Sequence, residues 1–137
     1  MRAPTLGGLA VAARCATAPY GAADDGVDGD AARARLRGET LAAPELVDLE
    51  VLSVLRRQHR AGLLPHGPAA LAMADLRQLP VQRAPHGVLL ARCWELGDSL
   101  TVYDAAHVAL AEALEATLLT GDWRLARAAG PTCTTET

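Results

Sequence analysis

The stretch from Thr101 to Asp122 constrains the fold more than any other part of the chain. Thr101 is a suitable N-cap for a helix over VYDAAHVALAEALEA, in which small and apolar residues recur with helical spacing. The run ATLLT that follows is short and apolar, and a Thr-Gly-Asp turn ends it at Asp122. This order predicts a helix, then a buried strand, then a turn at the carboxyl end of that strand.

Similar alternations of helix and short strand extend back to residue 30. We predict helices over 30–38, 44–62, 65–79 and 86–96, a strand at Thr40–Ala43, and at best a short strand in LPVQRAP. Asp122 is expected to cap a helix over WRLARAAG, whereas the final PTCTTET is too short and polar for a confident strand. Strands joined by helices require right-handed crossovers, so we predict one α/β domain with a parallel sheet covered on both faces.

Composition limits both the core and the surface. Apolar residues make up 50% of the chain but Phe is absent, so the core must be packed from Ala, Leu and Val. All 13 basic residues are arginine, yet the net charge is −3 and the pI near 5.7. A broadly basic surface of the kind that coats duplex nucleic acid is therefore not expected, and any nucleic-acid contact would be local and helped by metal.

Cysteine usage and hydropathy indicate the compartment. The three cysteines, Cys15, Cys93 and Cys133, show no CxxC or Cys/His spacing, which argues against a zinc site and a disulfide framework. No apolar run reaches the roughly 18 to 20 residues that span a membrane. We therefore expect a soluble, cytoplasmic protein without membrane contact.

Three acids stand among apolar neighbours or at the ends of predicted elements: Glu50, Asp104 and Asp122. Each also has a purely structural interpretation. Glu50 could pair with Arg56 or Arg57 on its own helix, Asp104 could serve the helix dipole, and Asp122 could act only as a cap. Carboxylates from separate elements that meet at one sheet edge are, however, what a Mg²⁺ or Mn²⁺ site for phosphodiester hydrolysis requires.

Two segments carry a resemblance to a known family. The run APELVDLEVLSVLRR resembles the second acidic motif of PIN-domain ribonucleases of the VapC toxin type. The run LTVYDAAHVALAEALEATLLTGDWRLARAAG resembles their third and fourth motifs, with acids 18 positions apart at Asp104 and Asp122. The resemblance covers residues 30–130 and implies a PIN-like three-layer fold, a small parallel sheet flanked by helices.

The resemblance also implies roles for individual residues. Glu50, Asp104 and Asp122 match the second, third and fourth acids, which in the family are catalytic and hold Mg²⁺ or Mn²⁺ while water attacks an RNA phosphodiester. Thr120 matches a small hydroxyl residue that would position substrate. The implied function is a metal-dependent endoribonuclease, the toxin half of a toxin–antitoxin pair, with RNA as substrate, a small antitoxin as partner, and a homodimeric state.

The N-terminus departs from the family pattern. The family begins with a hydrophobic strand that ends in Asp, and nothing in residues 1–23 matches this. We therefore predict that the first strand is lost or altered, that residues 1–23 are an atypical, loosely ordered segment, and that residues 24–137 form the PIN-like domain. A shifted reading frame or misplaced start would explain the change. The acids that follow are poor replacements because they lie in a Gly-rich polar stretch: Asp24, Asp25, Asp28 and Asp30.

Other interpretations remain open. A degenerate PIN module could bind antitoxin without cleaving RNA, and an all-helical regulatory domain would leave the three acids scattered. His107 stands where the family usually has Tyr or another large residue, so we interpret it as a packing or surface substitution rather than a general base. The arginines of the first predicted helix could line a partner groove or the RNA path, or simply face solvent: Arg33, Arg35 and Arg37.

Overall fold

A parallel β-sheet forms the middle layer of the molecule. The computed structural model describes residues 9–12, 34, 37, 40–120 and 122–136. Within these residues the sheet has the strand order β3-β2-β1-β4-β5, and every pairing is parallel. The strands are β1 (Leu9–Ala12), β2 (Thr40–Pro44), β3 (Val81–Ala84), β4 (Thr117–Leu119) and β5 (Thr135–Glu136).

Helices connect the strands. They are α1 (Leu46–Arg60), α2 (His66–Gln78), a 3-10 turn (His86–Leu89), α3 (Leu90–Glu95), α4 (Val102–Ala113) and α5 (Trp123–Ala126). The prediction of an α/β fold with a small parallel sheet flanked by helices is confirmed, and the all-helical alternative is wrong. The predicted helix over 30–38 lies outside the described residues except at positions 34 and 37.

The position of β1 bears on the prediction that the first strand is lost or altered: a strand is present, so the alternative that it is lost is wrong. Leu9–Ala12 is the central strand, with Val11 opposite Ala42 of β2 on one side and Leu118 of β4 on the other. A strand between two parallel neighbours needs only a short apolar run without alternation, so LAVA carried no recognisable period. That the strand is altered stays a prediction, based on the sequence, in which Ala13 and Arg14 come after β1 whereas the family pattern has an acid at the end of this strand. The rest of residues 1–23 lies outside the described part of the chain.

Several element boundaries also differ from the predictions. Pro44 ends β2 instead of opening the next helix, because α1 begins only at Leu46. The predicted helix over 86–96 is divided into the 3-10 turn and α3. The C-terminal PTCTTET does contribute a strand, the two-residue β5 at the edge of the sheet.

Small side chains let α4 pack closely on the sheet. Ala105, Ala109 and Ala111 of α4 are almost completely buried, and Leu118 of β4 is fully buried. A second cluster packs α1 and α2 against β2: Ala43, Val47, Val51, Leu55, Leu64 and Ala72. The core is thus built from Ala, Leu and Val, as the lack of Phe required.

Two further features bear on the sequence predictions. Cys93 and Cys133 have free thiols, and burial raises the pKa of both; Cys15 lies outside the described residues. In the described ranges, no helix combines the length and the apolar content that a membrane crossing requires.

Candidate metal-binding active site

The topology places the elements that carry the three acids at the carboxyl edge of the sheet. Glu50 lies in the second turn of α1, which starts directly after β2, and Asp122 follows β4. Helix α4 crosses back to the start of β4, so its first turn, which carries Asp104, lies at the same edge as the ends of β2 and β4. This edge is where open parallel sheets bind their ligands.

Glu50 is in contact with α4. Its Oε2 lies 3.0 Å from Nε2 of His107, whose side chain is fully buried while that of Glu50 is 17% exposed. Among the described residues, neither Arg56 nor Arg57 pairs with Glu50, so that alternative is wrong. Because His107 is one turn after Asp104 on α4, this contact brings the side chain of Glu50 toward the helix face that carries Asp104.

Asp104 belongs to the cap of α4. Its backbone N–H donates to Oγ1 of Thr101 at 3.1 Å, and the Thr101 hydroxyl donates to Oδ2 of Asp104 at 2.8 Å. A carboxylate in this first turn is stabilised by the helix dipole. The predicted structural role of Asp104 is therefore present, and the hydroxyl contact holds the orientation of the carboxylate.

Asp122 lies in a turn that Thr120 shapes. The Asp122 N–H donates to Oγ1 of Thr120 at 3.0 Å. Oδ1 of Asp122 accepts a bond of 2.9 Å from the N–H of Arg124, so Asp122 is the N-cap of α5. Thr120 is buried, with a relative exposure of 5%. Its hydroxyl thus accepts a bond from the backbone of Asp122, and its predicted role in positioning substrate stays a prediction.

Comparison with known proteins identifies the family. A model of the PIN domain matches residues 18–131, most of the chain. Ribonuclease VapC3 of Mycobacterium tuberculosis is 47% identical over 98 residues, 72% of each chain. Ribonuclease VapC9 and Ribonuclease VapC12 of the same species are 43% and 38% identical, over 72% and 74% of this chain and 76% and 79% of theirs. The chain belongs to the VapC family of PIN-domain ribonucleases. The PIN match begins after β1, so this strand lies outside the match.

The three acids at the carboxyl edge of the sheet have the ligand atoms that a hard cation prefers. Carboxylate oxygens are the ligands that Mg²⁺ and Mn²⁺ prefer, and Glu50, Asp104 and Asp122 carry such oxygens on or beside three different elements. In the part of the chain that the structure describes, however, no three Asp, Glu, His or Cys side chains are close enough together to hold one ion. Mg²⁺ is commonly held by one or two carboxylates with waters and substrate phosphates, and the chemistry of Glu50, Asp104 and Asp122 suits that open mode.

Sequence reasoning missed the contact between His107 and Glu50. His107 was interpreted as a packing or surface substitution, and its complete burial makes it a packing residue. Its spacing of three from Asp104 was the available signal, since residues three apart share one helix face. The partner on α1 could not be read from that spacing. Asp24, Asp25, Asp28 and Asp30 lie outside the described residues.

Proposed function

We propose that this chain is a metal-dependent endoribonuclease and the toxin component of a toxin–antitoxin pair. What supports the proposal is the meeting of α1, α4 and the end of β4 at one edge of the sheet, with an acid on each. Glu50, Asp104 and Asp122 would hold Mg²⁺ or Mn²⁺. When bound, the cation would activate water and offset the charge that develops on the RNA phosphate.

The residues around the acids would keep the site in shape. Thr101 holds the Asp104 carboxylate through its hydroxyl, and Thr120 holds the turn of Asp122. In this proposal Thr120 also positions the substrate. Because the net charge is −3, affinity for RNA would come from this edge and its cation rather than from a wide basic surface. A short, unpaired RNA segment suits such a local contact better than a duplex.

The family relationship supports the proposed partners. The relatives carry the name ribonuclease, which makes RNA the substrate class. We propose that a small antitoxin occupies the groove at the acidic edge and keeps the enzyme inactive, that the chain forms a homodimer, and that it works in the cytoplasm.

A second candidate function is a catalytically impaired PIN module that binds antitoxin and cleaves nothing. The specific observation in its favour is the end of β1, the central strand, where Ala13 and Arg14 stand in place of an acid. The lack of a three-ligand group among the described side chains points the same way. Both observations favour the impaired module for the same reason: they reduce the number of carboxylates that could bind one cation.

Cleavage of total cellular RNA by the purified full chain distinguishes the two functions. The assay contains Mn²⁺, with an EDTA control, and compares wild type with Glu50→Gln and Asp104→Asn. Asp75→Asn is the matched control because Asp75 is an exposed acid on α2. We expect Mn²⁺-dependent cleavage that is lost in both site variants and retained in the control. A folded wild-type chain that cleaves no RNA would refute the enzyme and leave the binding module.

A further inference from the structure

We propose that His107 is the positioning residue for Glu50: it donates its Nε2–H to one carboxylate oxygen and thereby directs the other toward the cation. The inference rests on the proposed metal-dependent function and assigns a role that packing alone would not require. Its basis is the 3.0 Å contact between Nε2 of His107 and Oε2 of Glu50, which joins α4 to α1 across 57 positions of sequence.

The chemistry of the two groups determines the direction of this hydrogen bond. An ionised carboxylate only accepts hydrogen bonds, so Nε2 of His107 must carry the proton. The donor is held rigidly, because the imidazole is fully buried within the core face of α4. Glu50 keeps 17% of its side chain exposed, so the carboxylate lies at the boundary between the core and the open edge of the sheet.

The surroundings of His107 explain why its imidazole needs a hydrogen-bond partner. The neighbouring buried positions of α4 are small or apolar, including Ala106, Val108 and Ala109, so His107 is a large polar side chain in an apolar environment. Buried polar groups require hydrogen-bond partners, and the carboxylate of Glu50 is such a partner for Nε2 of His107. In return, the bond restricts the rotamers of Glu50, whose long side chain would otherwise sample several orientations.

The other acid nearby on α1 does not compete for His107. Asp48 accepts two bonds from Nε of Arg83, at 2.8 and 2.9 Å, which turn it toward β3. Within the described structure, Glu50 is therefore the acid of α1 that is hydrogen-bonded to α4. Residues that orient a ligating carboxylate typically change metal affinity by 10- to 100-fold when they are removed.

The test is a double-mutant cycle read out by Mn²⁺ affinity, measured on the full chain by electron paramagnetic resonance of free Mn²⁺. The variants are His107→Leu, which removes the donor, His107→Gln, which retains an N–H donor, and Glu50→Gln. We expect His107→Leu to weaken Mn²⁺ binding at least about tenfold in the wild-type background and less than about twofold in the Glu50→Gln background. His107→Gln should recover most of the affinity.

Two controls separate positioning from stability. Leu110→Ala creates a cavity at another buried position of α4 and should lower Tm without changing Mn²⁺ affinity. In the metal-free protein, nitrogen-15 NMR should detect a protected Nε2–H proton on His107 that is lost in Glu50→Ala.

The outcomes distinguish this inference from the proposed function. If wild type binds Mn²⁺ and Asp104→Asn abolishes binding, but the effects of His107→Leu and Glu50→Gln are additive, the positioning role is overturned while the enzyme proposal stands. If the folded wild type binds no Mn²⁺, both fail together. If His107→Leu does not fold, the same decision rests on His107→Gln and on the NMR signal of wild type, whose absence would overturn the inference.

Discussion

Arg92 of α3 and Glu112 of α4 form a two-pronged ion pair. Nε of Arg92 donates to Oε2 of Glu112 at 2.7 Å, and Nη2 donates to Oε1 at 3.1 Å. Glu112 also accepts a bond of 2.8 Å from the N–H of Thr132, and Arg92 donates to the carbonyl of Gly130 at 3.1 Å. The pair therefore holds α3, α4 and the segment that leads to β5 together.

This pair predicts a pH-dependent stability. The hydrogen bonds from Arg92 hold the pKa of Glu112 below its usual value of 4.5 and raise that of Arg92. A carboxyl whose pKa is lower in the folded chain stabilises the fold above the unfolded pKa, and this stabilisation is lost as the pH falls through the folded pKa. We expect Glu112→Gln to lower Tm at pH 7 by roughly 3–8 °C and to flatten the fall of Tm below pH 5.

Thermal melts of wild type, Glu112→Gln and Glu95→Gln between pH 3 and pH 7 check this prediction. Glu95 also binds Arg92, at 3.0 Å, but its side chain is 62% exposed, so its substitution should change Tm little. Equal acid sensitivity of wild type and Glu112→Gln would contradict the prediction.

The cap of α4 should contribute measurably to stability. Thr101→Ala removes the hydroxyl that accepts the Asp104 N–H and donates to its carboxylate, and we expect it to cost about 1 kcal/mol in the free energy of unfolding. Thr101→Ser keeps the oxygen and should lose much less. Urea denaturation of the three proteins measures the difference. Equal stability of the Ala and Ser variants would mean that the cap is not stabilising.

Two glycines should respond to alanine in opposite directions. Gly62, just after α1, has φ +74°, where a Cβ is strained although it would meet no atom within 4 Å. We expect Gly62→Ala to destabilise by about 1 kcal/mol. Gly87 lies in the 3-10 turn with no such φ and equal space, so Gly87→Ala should stabilise by about 0.5 kcal/mol. Chemical denaturation of both variants decides whether the sign depends on φ.

An acid added after β1 should strengthen cation binding. In the sequence Ala13 comes directly after Ala12, the residue at the end of β1, which is paired with Leu119 at the end of β4. We expect Ala13→Asp to increase Mn²⁺ affinity about tenfold and to raise RNA cleavage, because an additional carboxylate adds charge to the site. Ala13→Asn is the uncharged control. If the Asp and Asn variants bind Mn²⁺ alike, the end of β1 is not part of the cation site.

Local patterns predicted most of the elements between residues 40 and 126. The helix that begins at Thr101 and the strand within ATLLT followed from a cap, a helical period and a turn, which are all encoded within a few residues. The three acids were likewise selected from local signals, either a position at an element end or apolar neighbours, and their role as metal ligands stays a prediction. Their separate structural interpretations could not be decided locally, since a carboxylate at a helix start serves a cap and a metal equally well.

Sequence alone determined the α/β class, the packing of the core from small residues, and the family. Only the tertiary structure decided that Leu9–Ala12 is the central strand, because four apolar residues become a strand through pairing with β2 and β4 rather than through any period of their own. Only the tertiary structure paired Glu50 with His107 rather than with a nearby arginine. A contact across 57 positions depends on how α1 and α4 cross the sheet, and no local pattern encodes that geometry.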